Sequence, residues 1–328
     1  MVLAKMKNVA IFENVKLKRL QLPTLANIIM LGAILRIALL VYALFAPEIV
    51  YDGDSSEYLA LAQNLAEQGV YESESDRPFP PDSVRPPIYA AFLALFHLLG
   101  DGTPFLALLM QMLLSIANIW LTFRLAKQLG ASDKIAKLAA LVLALDISSI
   151  IYSGTIMAET LFTTLLILFA GALHKTAEAL DFRTILTISV FTAGLILTKP
   201  IAKFLPIASA LFVFLLTHLA LHKRILFAGL HIVLVVMLLM PWAIRNARKY
   251  DYPGISTVQG FNLLYYNGAL AKARNEGISI NVAEDSLTAE LQAGLISEHI
   301  SLGESAAAMQ KLGIKTIFRH FGSYTVLH

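Results

Sequence analysis

Tyr51-Asp52-Gly53-Asp54-Ser55-Ser56-Glu57-Tyr58 is an acidic, polar stretch set between long apolar runs. Three carboxylates, Asp52, Asp54 and Glu57, fall within six positions. Upstream, residues 24–45 hold a single charge, Arg36. Downstream, Leu59-Ala60-Leu61-Ala62-Gln63-Asn64-Leu65 leads through a polar, proline-rich segment to Arg85-Pro86-Pro87-Ile88-Tyr89, where a second apolar run begins. A run of about 20 apolar residues is long enough to cross a bilayer as a helix. Carboxylates placed where the chain leaves the bilayer are costly unless they pair, hydrate or work. The stretch therefore reads as the first outer loop of a membrane protein, and Asp54 as its working carboxylate.

The rest of the composition agrees. Of 328 residues, 57% are hydrophobic, and the mean hydropathy is +0.67. A soluble domain of this length would carry more polar surface. Apolar runs recur along the chain, which makes it an all-α polytopic membrane protein. The net charge of +3 says little about partners, and no nucleic acid is expected among them. There is no cysteine, which excludes disulfides and thiolate chemistry.

Seven spans are expected, at about 24–45, 104–125, 134–152, 157–174, 183–198, 201–221 and 224–243. Residues 1–23 carry Lys5, Lys7, Lys16, Lys18 and Arg19 and read as a cytoplasmic tail. Arg124, Lys127, Lys134, Lys137, Lys175, Arg183, Lys223 and Arg224 then flank turns on that same side, as basic residues do on the cytoplasmic face. The membrane domain covers 24–245, with the first outer loop at about 46–103. Pro86–Leu99 is too short to span and reads as an interfacial or re-entrant helix. Residues 246–328 form an external segment with two amphipathic helices, Val282–Ile300 and Glu304–Phe321. That segment reads as too short and polar for a core of its own.

This topology brings Asp54, Arg85, Glu159, Lys199, Lys203 and Arg245 to the non-cytoplasmic face. Each also has a plainer explanation. Asp54-Ser55-Ser56-Glu57 fits a capping box at the start of a helix ending near Gly69. Glu159 fits a first-turn acid that complements the helix dipole. The basic residues fit side chains reaching for the interface. Arg85 and Lys199, however, each precede a proline, which favours an extended backbone and breaks the helix there. His97, His174, His218, His222 and His231 show no metal-ligand spacing. No cofactor is indicated; a divalent metal is allowed but not called for.

The ordered set resembles a known family. Asp54 with Tyr58, Gly69 with Tyr71, Arg85-Pro86-Pro87-Ile88-Tyr89, Tyr152-Ser153-Gly154 with Ala158-Glu159-Thr160-Leu161-Phe162, Leu197-Thr198-Lys199-Pro200, Pro241-Trp242-Ala243-Ile244-Arg245-Asn246 and Gly260-Phe261-Asn262-Leu263 resemble GT-C glycosyltransferases. The nearest group is the bacterial relatives of dolichyl-phosphate-mannose–protein mannosyltransferases (family 39-like), with the lipid A aminoarabinose transferase as a cousin. The resemblance covers about residues 24 to 266. It implies a GT-C bundle, a polyprenyl-phosphate-linked sugar donor, an acceptor on lipid, glycan or protein, and an outer-face site in a bacterial inner membrane. It implies Asp54 as the catalytic residue, and a basic residue for the lipid phosphate among Arg85, Lys199 and Arg245. Substrate contacts are expected from Asp52, Glu57, Tyr58, Arg85, Tyr89, Glu159, Lys199, Lys203 and Arg245. Many relatives place a glutamate directly after the loop aspartate; here Ser55 follows. Relatives also continue through further spans, and an apolar run begins at Tyr324, so the chain is expected to be truncated before further spans or a minimal form.

The leading function is transfer of a sugar, with inversion, to an acceptor hydroxyl. Two rivals stand beside it. A transporter of a polar solute would show an inverted repeat and a midplane site, whereas here no repeat is found and the charges gather at one face. A non-catalytic partner would keep the fold and lose the transfer.

Overall fold

The computed structural model describes residues 21–73, 79–100, 104–216, 220–294 and 300–327. The basic residues of the tail and His218 lie outside the described residues. Helix makes up 83% of the structure, with no strand among the described residues, which is the all-α architecture expected of a polytopic membrane protein.

In chain order the helices are α1 (Leu25–Phe45), α2 (Ser55–Gln68), α3 (Pro81–Val84), α4 (Pro87–Leu99), α5 (Phe105–Gln128), α6 (Asp133–Leu145), α7 (Ile147–Gly154), α8 (Glu159–Glu178), α9 (Phe182–Thr198), α10 (Leu205–Phe214), α11 (Leu221–Tyr250), α12 (Val258–Phe261), α13 (Ala269–Glu276), α14 (Ile280–Gly294), α15 (Leu302–Arg319) and α16 (Phe321–Leu327). The 3₁₀ turns Pro47–Val50 and Pro200–Phe204 and a π-helical stretch, Asn262–Gly268, lie between them. Among the described residues α1, α5, α8 and α11 are long and apolar enough to cross a membrane, and α6 with α7, bent by 53°, is either a broken fifth span or a re-entrant loop. The expected spans at 183–198 and 201–221 are also helical but shorter: α9 has 17 residues and α10 has 10. Proline explains the interruption. Lys199 precedes Pro200 and leaves α9 extended, at φ −142° and ψ 123°. The chain then turns through Pro200–Phe204 before α10 begins.

The chain divides into two compact units, Met1–Glu72 with Pro87–Leu238, and Ser73–Pro86 with Leu239–His328. In the first, two buried polar side chains bind helices together. Arg36 on α1 is 1% exposed. Its guanidinium donates to Ser115 Oγ (2.7 Å), Gly32 O (3.1 Å), Ala144 O (3.2 Å), Leu143 O (3.3 Å) and Ser149 Oγ (2.8 Å). The two carbonyls from residues 143 and 144 belong to the last turn of α6, where the bend removes their intrahelical partners. His231 on α11 is fully buried, with Nδ1 2.9 Å from Ser189 Oγ on α9 and Nε2 2.7 Å from Ser209 Oγ on α10. A histidine without metal spacing is thus a polar cross-link between three helices.

The second unit does pack a core of its own, unlike the expectation for a segment read as too polar. Phe79, Leu264, Leu287, Leu291, Met309 and Leu312 are buried together with alanines from α13, α14 and α15. The aliphatic content is modest, and close helix approach compensates for it. A Cβ on Gly313 would meet the backbone of Leu263 and Leu264 at 2.6–2.7 Å, so only glycine lets α15 lie against the π-helical stretch. Helix α15 begins at Leu302, two residues before the expected start at Glu304. Ser301 and Glu304 form a reciprocal capping box.

Candidate functional site

The first loop is fastened to the turn between α7 and α8. Ile156 N–H donates to Val50 O at 2.8 Å, and Ser55 Oγ donates to Ile156 O at 2.9 Å. The same Ser55 hydroxyl accepts from Asp52 N–H at 2.8 Å. Ser55 is fully buried, so this pair of bonds is a fixed point. It sets Asp54, the preceding residue, at the N-terminus of α2.

Asp54 occupies the N-cap position but its side chain makes no capping bond. Its backbone gives the reason. At φ −98° and ψ −9° Asp54 is already helical, whereas side-chain caps form from extended geometry. Thr24, Ser132, Asp181 and Ser301, with ψ between 155° and 178°, are extended and do cap their helices. The capping box read at Asp54–Glu57 is therefore not formed by Asp54. Asp52 is used differently: it is exposed, and its Oδ1 accepts from Gly53 N–H at 2.7 Å.

Behind this loop α2 packs on α4. Tyr58, Leu61 and Ala62 meet Tyr89, Ala90, Leu93 and Ala94, and the Tyr58 and Tyr89 rings stand edge to face at 4.8 Å. Helix α2 stops at Gly69, in the left-handed region at φ 70°, as its sequence indicates. The Tyr89 hydroxyl donates to Gln111 Oε1 at 2.9 Å. Gln111 Nε2 donates in turn to Tyr152 O (2.8 Å) and Thr155 O (2.6 Å). Gln111 is 1% exposed and was not singled out in the sequence. Its signal is an amide inside an apolar span, aligned with Ser115 and Asn118 on one face of α5.

Three residues after Ile156, Glu159 opens α8. It pairs with Lys199, the residue capping the C-terminus of α9, at 2.5 Å. Acid at a helix start and base at a helix end each complement the local dipole, so the plainer reading of Glu159 holds and the ion pair adds to it. The second oxygen of Glu159, Oε2, is buried without a hydrogen bond. Lys203, four residues past Lys199, lies over the Phe204 ring at 4.9 Å. Asp54, Tyr58, Tyr89, Glu159 and Lys199 are thus linked through one set of helix ends in the first unit. Glu57 is buried beside them. Among the described residues no three histidine, aspartate or glutamate side chains gather into a metal-binding group.

Arg85 and Arg245 belong to the second unit. There the central acid is Asp82, which the sequence reading passed over. It is 1% exposed, and its Oδ2 accepts from Arg245, from Tyr250 and, at 3.0 Å, from Lys249. Arg245 also donates to Asp82 O and Asn246 Oδ1, both at 2.9 Å, and its guanidinium stacks on Trp242. Burial pushes the Asp82 carboxyl up, but the bonds from Tyr250, Lys249 and Arg245 outweigh it and hold the group below the usual carboxylate range. Arg245, read from sequence as a phosphate ligand, is engaged by Asp82. The visible signal was Arg245 and Lys249 four apart on one helix face, two cations that call for an acid.

Comparison with known proteins adds one match. Residues 84–244 match the model of the dolichyl-phosphate-mannose-protein mannosyltransferase family. No curated protein and no solved structure matches the chain. The matched stretch begins after the first-loop carboxylates, and it includes Tyr89, Gln111, Glu159, Lys199 and Lys203. Over residues 84–244 the chain is therefore similar to that mannosyltransferase family.

Proposed function

We propose that the protein is an integral membrane glycosyltransferase that moves a sugar from a polyprenyl-phosphate donor to an acceptor hydroxyl at the non-cytoplasmic face. Asp54 takes the proton of the acceptor hydroxyl as that oxygen attacks the anomeric carbon. The bond from that carbon to the phosphate oxygen breaks, and the lipid phosphate leaves with the bonding electrons. Lys199 and Lys203, at the proline break after α9, supply positive charge for the departing phosphate. A single displacement inverts the anomeric centre.

The observation that carries this reading is the Ser55–Ile156 clasp. It fixes Asp54 at the start of α2, beside the turn between α7 and α8. The test is transfer of radiolabelled sugar from a polyprenyl-phosphate donor in proteoliposomes. Time-dependent labelling of an added acceptor is expected. Uptake of a polar solute without any transfer would overturn the proposal in favour of transport.

A further inference from the structure

We infer that Arg36, in the middle of α1, is a positioning residue for Asp54. The inference rests on the catalytic reading of Asp54. Arg36 touches none of the expected site residues, and acts through α7. Inside a membrane, carbonyls released at a helix break need donors from the protein. Arg36 provides them for Leu143 and Ala144, at the end of α6, and also reaches Ser149 on the first turn of α7. Asp146 caps that same turn by accepting from Ser149 N–H at 2.7 Å. One guanidinium thus holds both sides of the 53° bend, and anchors them to α1 and, through Ser115, to α5.

The position of α7 governs the segment on its C-terminal side. Tyr152 O and Thr155 O, at that far end, are the two acceptors for Gln111, which orients Tyr89. The next residue, Ile156, holds the first loop at both Val50 and Ser55. A shift of α7 is therefore passed to Asp54 through two short hydrogen bonds and one peptide. Asn118, one turn beyond Ser115 on the same face of α5, is 2% exposed and leaves Oδ1 unpartnered. The polar capacity along that face is thus not fully used: Gln111 bonds to Tyr152 and Thr155, and Ser115 accepts from Arg36.

The test uses the full chain, which has no native cysteine. Spin labels go on Tyr51→Cys and Ile151→Cys, which are 50% and 49% exposed, and the distance is read by double electron–electron resonance. Two further variants are compared, Arg36→Lys and the milder Ser149→Ala, which deletes one Arg36 contact and keeps the backbone cap. The expected result is a broadened distance distribution in both. With it, kcat per folded enzyme should fall by about 10- to 100-fold, the scale of a misplacement near 1 Å, while KM for the lipid donor stays nearly constant. An unchanged distribution overturns the inference whatever the activity. So does a broadened one with unchanged kcat. Wild-type protein that transfers no sugar would refute the catalytic reading instead, and the distance measurement would still decide whether Arg36 fixes the loop.

Discussion

Replacing Asp82 by asparagine tests the second unit at its most buried charge. The substitution keeps the shape and one oxygen, so the Tyr250 bond has an acceptor, but both ion pairs are lost. Removing one partner of a buried pair costs about 3–5 kcal/mol. Arg245 and Lys249 are 24% and 31% exposed and stay partly hydrated, and Arg245 keeps its bonds to Asp82 O and Asn246. The low end, about 3 kcal/mol, is therefore expected. At about 1.4 kcal/mol per tenfold, opening of this unit should be roughly 100-fold more frequent. Hydrogen–deuterium exchange in detergent reads it directly, with peptides from α12 and α15 as reporters and α8 as the control. The pH dependence has a defined sign. A carboxyl held below its unfolded value stabilises fully above that value, near pH 4, and loses the contribution as pH falls through the lower folded value. Wild-type exchange should accelerate below about pH 4, and the variant should lack that acid-dependent step. Less than about threefold faster exchange in Asp82→Asn at neutral pH, under 1 kcal/mol, would refute the reasoning.

Two other outcomes follow from the topology and the packing. Cysteines placed by Ser73→Cys and Ser286→Cys should react with an impermeant thiol reagent in intact cells, while Ser132→Cys should not; labelling at position 132 alone would reverse the orientation. Gly313→Ala should destabilise the second unit by about 1–3 kcal/mol, because its methyl meets the Leu263–Leu264 backbone rather than a side chain that can move; an unchanged melting temperature would contradict the close approach.

What could be read from the sequence was whatever a single segment decides. Most of the apolar runs, the stop of α2 at Gly69 and the break at Lys199-Pro200 follow from local composition or backbone preference and are observed, while the runs at 183–198 and 201–221 form helices shorter than the expected spans. What escaped depends on partners far along the chain. Arg36 stands alone among apolar residues in the sequence because its partners on other helices lie 79 to 113 residues away. Asp82 looked like a loop acid because Arg245 lies 163 residues on. His231 carried no metal spacing, and its serines come from two other helices. The Asp54 case differs in kind. The sequence does contain a capping box, but whether the side chain caps depends on ψ at that residue, and the Ser55 clasp sets it.

The central claim is that Asp54 is the base of a sugar transfer, and Asp54→Asn tests it most directly. Asparagine suits a helix start about as well as aspartate, and Asp54 makes no cap bond to lose, so the variant should melt like the wild type. Sugar transfer from the polyprenyl-phosphate donor should fall by at least about 10²-fold, the usual loss for a general base. Asp52→Asn, at an exposed residue bonded to its own turn, should lose much less. Near-normal transfer by well-folded Asp54→Asn protein would contradict the catalytic assignment.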